Sequence, residues 1–148
     1  FFQNDIGVSL GTDSQVQIDL LEDARQLEYN LRLQKMERAV LAPEGGNNSA
    51  LATRLFECAT INGARSIGAP GGALGAGRAT DFFTVELSDP SIAGASDDDL
   101  LGSIVFSLAR TAVKDVVVGG KRIVENGRHA DQEEIVEKFN LLQRRLWN

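Results

Sequence analysis

The chain has 148 residues, 43% of them hydrophobic and 24% charged, which suits one domain with a sizeable core and excludes a disordered polymer. Its formal net charge of -6 argues against a nucleic-acid partner, whose phosphates require clustered Lys and Arg, and no run of about 18 apolar residues is present to span a membrane. Cys58 is the single cysteine, so an intrachain disulfide is excluded and a reducing, cytoplasmic setting is expected, with the thiol itself buried and inert.

The N-terminus, Phe1-Phe2-Gln3-Asn4-Asp5, has neither the basic start nor the apolar core of a secretory signal. It runs almost at once into Ile6-Gly7-Val8-Ser9-Leu10-Gly11-Thr12-Asp13-Ser14, which reads as a short buried strand, a tight turn and a carboxylate where the strand ends. A helix is expected directly after Asp13-Ser14. Strand, acid, helix is how a (β/α)₈ barrel presents a catalytic group, yet a barrel needs about eight such units in roughly 250 residues. This chain has room for one, so the expectation is a piece of something longer.

Leu20, Ala24, Leu27 and Leu31 then repeat at helical spacing, widened by Leu21. Asp19, Glu22 and Asp23 sit where the positive end of the helix dipole favours acids, and Glu28 and Arg32 form an i,i+4 pair in the favourable order. Leu33, Met36 and Val40 continue on a rotated face, which predicts a bend or a second short helix. Pro43 to Asn48 is a loop by composition. Ser49 is a candidate N-cap for a helix whose stripe is Ala52, Leu55, Phe56 and Ala59 and which runs towards Gly63–Gly68, with Gly68 as its C-terminal cap and Pro70 as its stop.

Beyond Pro70 the pattern turns extended. Gly71, Gly72, Gly75 and Gly77 lead to Asp81–Leu87, where Phe83, Val85 and Leu87 alternate with Thr84 and Glu86 as in a one-faced strand. No Gly-Lys-Ser/Thr follows these glycines, and a strand rather than a helix comes next, so a phosphate loop is disfavoured. Asp97-Asp98-Asp99 reads as the acidic first turn of a helix capped by Ser96 rather than a metal cluster, with Leu100, Leu101, Ile104, Val105 and Leu108 on its buried side. Asp115–Val118 and Lys121–Val124 are strands joined through Gly119-Gly120, and Asn126-Gly127 makes a second turn. The final helix begins near Gln132 and carries Ile135, Phe139, Leu142 and Leu146 on one face. Three or four one-sided strands neither close a barrel nor complete a sandwich.

His129 is the sole histidine, so neither a three-histidine zinc site nor an HExxH site can be assembled here. Following a turn and lacking a nucleophile elbow, it is read as exposed and structural. Asp13 is left as the one candidate for chemistry. Its local sequence is equally compatible with a helix cap and with catalysis.

Five segments tip that balance. Gly11-Thr12-Asp13-Ser14 followed by Leu27–Leu33 resembles the end of the barrel in the amidohydrolase superfamily of metal-dependent hydrolases, most of all the formimidoylglutamate deiminases. Asn62–Gly68 resembles the helix after the barrel. Gly72–Phe83 resembles the lead-in to the small β-sandwich, with Thr80 standing between Ala79 and Asp81, and Val116–Val124 resembles its closing hairpin. The resemblance implies an α/β fold: a C-terminal fragment of a TIM-barrel amidohydrolase plus part of the β-sandwich domain. Residues 1–70 would be the last βα unit and the helices after it, 71–128 part of the sandwich with an inserted helix, and 129–148 a C-terminal helix packing back on the barrel. It implies that Asp13 ligates a divalent metal, commonly zinc, and moves a proton from the attacking water to the departing nitrogen. The remaining metal ligands and the substrate-binding residues would lie upstream of Phe1, and the intact parent admits a homodimer.

The implied activity is release of ammonia from N-formimidoyl-L-glutamate to give N-formyl-L-glutamate, in histidine degradation, with this piece inactive alone. An aminated heterocycle such as guanine or a triazine is the alternative substrate, and a truncated, non-enzymatic interaction module is the alternative role. The partners expected are a small-molecule substrate and the remainder of the barrel, without nucleic acid or membrane.

Overall fold

The structure is a computed structural model describing every residue except Phe1, Asp5, Gln15 and Asn148, and omitting the side chains of Gln3 and Asn48. Helix α1 spans Leu20–Lys35. It starts later than the sequence suggests, because Asp19 and not Asp13 caps it: the Asp19 carboxylate accepts from the amides of Leu21 (3.0 Å) and Glu22 (3.2 Å). Met36 closes the helix in the left-handed conformation, φ 55°. Leu33 and Met36 are exposed rather than continuing a rotated buried face.

Helix α2, Asn48–Ala59, is capped by Asn47, whose side-chain oxygen accepts from the Ala50 amide at 3.0 Å, in place of the expected Ser49. It does not run through to Gly68. The Thr60 hydroxyl donates to the Phe56 carbonyl (2.7 Å) and its backbone leaves the helical region (φ -124°, ψ -92°), the competition by which a threonine loosens a helix. Helix α3, Ile61–Ser66, starts afresh beyond this break. Gly72, at φ +84°, crosses the break so closely that a Cβ there would meet Ile61 Cα at 2.7 Å and the Thr60 carbonyl at 2.8 Å, so only glycine fits.

Strand β1, Phe82–Val85, is followed by turns and by helix α4, Leu100–Ser107. Asp97, Asp98 and Asp99 lie in the turn before α4 and not in its first turn; the Ser96 hydroxyl accepts from the Asp99 amide and donates to the Asp99 carboxylate. Strands β2 (Val113–Val118), β3 (Lys121–Glu125) and β4 (Arg128–His129) complete a four-stranded antiparallel sheet in the order β1-β2-β3-β4. Gly119 and Gly120 turn the β2–β3 hairpin at φ 57° and 76°, the positive angles a two-residue turn demands. The Asp81 carboxylate clamps that turn by accepting from the Gly119 amide. Helix α5, Gln132–Trp147, ends the chain.

Two apolar clusters hold these parts together. Ala24, Leu41, Leu51, Ala52, Leu55 and Val105 join α1, α2 and α4, while Ile92, Leu108 and Ala112 gather Leu21, Ile104, Phe83, Val85 and Val113 to fasten the helices to the sheet. Arg25 ties α1 to the end of α4, donating to the carbonyls of Val105 (2.7 Å) and Leu108 (3.0 Å) and so satisfying carbonyls a helix end leaves open. Helix α5 stands apart, with Ile135, Phe139, Leu142 and Leu146 each at least half exposed.

Candidate functional site

Residues 6–10 carry the chain towards Asp13 without regular secondary structure, pairing with no strand among the described residues, and Ile6 is half exposed. The expected buried strand is therefore not formed among the described residues, since a ladder needs a neighbouring strand. Two hydrogen bonds fix the segment. The Leu10 amide donates to the Cys58 carbonyl at 3.1 Å, and the Asn62 side-chain amide donates to the Val8 carbonyl at 3.1 Å. Phe2 and Leu10 also pack against the helical core, and the Arg54 guanidinium lies 5.2 Å from the Phe2 ring.

Asp13 follows in an exposed turn at φ 39°, a left-handed angle that aspartate tolerates better than most residues. Its carboxylate forms no hydrogen bond or ion pair with another described residue. It is not a helix cap, since Asp19 holds that position. What remains is an exposed carboxylate, unpaired among the described residues, at the end of an anchored segment. Such a carboxylate suits one coordination position of a divalent metal, and among the described residues no three His, Cys, Asp or Glu side chains gather to supply the others. Beside the same segment lies an apolar groove of about 880 Å³, lined by Phe2, Val8, Leu27, Leu31, Leu41 and Arg54 among others.

His129 is half buried rather than exposed; its Nδ1 accepts from the Asp131 amide at 3.1 Å in the turn before α5. Cys58 is fully buried, and burial pushes its thiol above the usual range. Sequence patterns did not single out Asn62 as the anchor of the Asp13 segment. Asn62 lies in the first turn of α3, and no local pattern marks its side chain as one that reaches a distant carbonyl.

Compared with known families, residues 2–123 match the one described as Amidohydrolase family. The formimidoylglutamate deiminase of Pseudomonas aeruginosa is 33% identical over 132 residues, covering 89% of this chain and 29% of that protein. A 5-methylthioadenosine/S-adenosylhomocysteine deaminase of Archaeoglobus fulgidus is 28% identical over 145 residues, 95% of this chain and 32% of that one. Among solved structures, a mutant atrazine chlorohydrolase from Arthrobacter aurescens TC1, complexed with zinc and atraton, superposes with a TM-score of 0.75 at 28% identity, over 95% of this chain and 30% of that one. The chain thus spans under a third of the length of these relatives.

Proposed function

The chain belongs to the amidohydrolase family, and we propose that it forms the C-terminal part of a metal-dependent hydrolase that cleaves a C–N bond with release of ammonia, N-formimidoyl-L-glutamate being the substrate. The observation that carries this reading is the state of Asp13: exposed, unpartnered among the described residues, and held at the end of a segment that Asn62 and the Cys58 carbonyl fasten down. In this reading residues 6–10 are the last barrel strand, whose neighbours belong to the rest of the protein, and the apolar groove beside it is where those neighbours lie. Residues 1–70 then form the last barrel unit with its following helices, 71–128 part of a β-sandwich, and 129–148 a helix that returns to the barrel.

Asp13 would be one of the residues holding a divalent metal, such as the zinc of the atrazine chlorohydrolase structure, and the metal would supply a water whose pKa is lowered towards 7. The Asp13 carboxylate would also take the proton of the attacking water and deliver it to the departing nitrogen, as a general base that becomes a general acid. The open turn leaves this carboxylate free to reorient between the two tasks. The identity with a formimidoylglutamate deiminase favours the amidine substrate; the similarity to a 5-methylthioadenosine/S-adenosylhomocysteine deaminase and to an atrazine chlorohydrolase keeps an aminated heterocycle as the second reading.

The test is ammonia release by the full-length parent with N-formimidoyl-glutamate and, separately, with methylthioadenosine or a triazine. Asp13→Asn is expected to abolish turnover while leaving the melting temperature unchanged. Near-normal activity of that variant would return Asp13 to a structural role. The 148-residue chain alone is expected to release no ammonia, and measurable turnover by it would overturn the reading of residues 1–70 as a partial barrel.

A further inference from the structure

On the side of α1 away from the Leu27–Leu31 groove, a cavity of about 490 Å³ opens between α1, the turn after it and α4, with Tyr29, Arg32, Arg38, Asp99, Ser103 and Phe106 in its walls. It is open to solvent, Arg38 and Asp99 both being exposed. We propose that this cavity binds a small zwitterion of the α-amino acid class, the carboxylate held by Arg32 and Arg38 and the ammonium by Asp99.

The charges of the walls favour that class. Arg32 is fixed: its Nε donates to the buried Glu28 carboxylate at 2.7 Å, and its guanidinium lies 5.3 Å from the Tyr29 ring and 6.0 Å from that of Phe106. The bond to Glu28 uses Nε and neutralises the charge, while the two terminal nitrogens have no acceptor among the described residues. They present a planar pair of donors of the kind that grips a carboxylate. Of the remaining charges, Arg38 is positive and Asp99 negative. They line one cavity without forming an ion pair with each other. Asp99 receives one hydrogen bond from the Ser96 hydroxyl at 2.8 Å on a single carboxylate oxygen, which leaves the other for a ligand. A bare anion would meet Asp99, and a bare cation would meet Arg38. A ligand carrying both charges with opposite polarity satisfies both walls.

Tyr29 is the only tyrosine in the chain, so its ring resonance in a tyrosine-labelled sample reports on this cavity alone. Titration of the chain with glycine and with glutamate is expected to shift that resonance saturably. Acetate and methylammonium, each carrying one charge, are expected to bind about tenfold more weakly, the factor for one charge-assisted hydrogen bond lost. Arg38→Ala and Asp99→Asn, which leave the Glu28–Arg32 pair in place, are each expected to weaken the amino acid by a similar factor. A shift that never saturates would overturn the proposal. So would acetate matching glycine, or two variants that bind as the parent chain does.

Discussion

Glu28 is a fully buried carboxylate in a helix that otherwise presents apolar residues to the core. Its burial is tolerable because every side is answered: Oε1 accepts from Arg32 Nε and from the Val40 amide at 3.0 Å, and Oε2 from the Leu41 amide at 3.0 Å. The residue therefore clasps the turn after α1 onto its own helix, and the Leu41 carbonyl in turn receives Arg54 at 2.9 Å. Glu28→Gln places an amide donor against donors and removes the charge facing Arg32. Urea unfolding should show a loss of about 3 kcal/mol, the scale for breaking one half of a buried pair. A loss comparable to that of an exposed helix pair, a few tenths of a kcal/mol, would show that the clasp is dispensable. The sequence disclosed the pairing of Glu28 with Arg32 but not its burial. An i,i+4 spacing is the same on a solvated face and a buried one, and the two amides that make burial affordable come from a turn with no recognisable pattern.

At the scale of elements, the strands show where local sequence suffices and where it does not. The β2–β3 hairpin was legible because adjacent glycines at positive φ between two apolar runs admit few other structures. The strand expected at residues 6–10 is not formed among the described residues, since a strand is defined by its neighbour and the neighbour is not encoded locally. The break at Thr60 was hidden for a related reason: the periodicity of α2 and α3 is continuous, and the hydroxyl that interrupts it acts through a single bond. Between β1 and β2 an ion pair can be tested by pH. The Lys114 ammonium donates to Glu86 at 2.9 Å, and with the Ser88 hydroxyl and amide it holds the Glu86 carboxyl at about 2, below its ordinary 4.5. A lowered folded-state value means that this pair supports the fold above pH 4.5 and loses that support as the pH falls from 4.5 towards 2. Lys114→Met should accordingly flatten the decline in melting temperature over that interval. An unchanged acid limb would show that solvent already screens the pair.

At the scale of the whole molecule, helix α5 keeps its apolar face open among the described residues. Ile135, Phe139, Leu142 and Leu146 align along α5 at 50–62% exposure, a contiguous apolar face of the kind that soluble monomers seldom display. In solution the 148-residue chain is expected to self-associate through it. Light scattering should show a mass that rises with concentration, and Phe139→Glu should return it to the monomer value; a monomer at all concentrations would contradict this. The candidate site was legible at this scale only in part. Asp13 was singled out through its resemblance to a family motif, since its local sequence fitted a helix cap equally well. Its separation from the cap of α1 could not be foreseen, because Asp19, six residues on, offers the same chemistry. Cys58 lends the molecule one more property. Its sulfur is sealed inside α2, at the residue whose carbonyl tethers the Asp13 segment, so a thiol-reactive dye can label the chain only while that region breathes. The pace of labelling is thus a clock for how often the candidate site comes loose from its mooring.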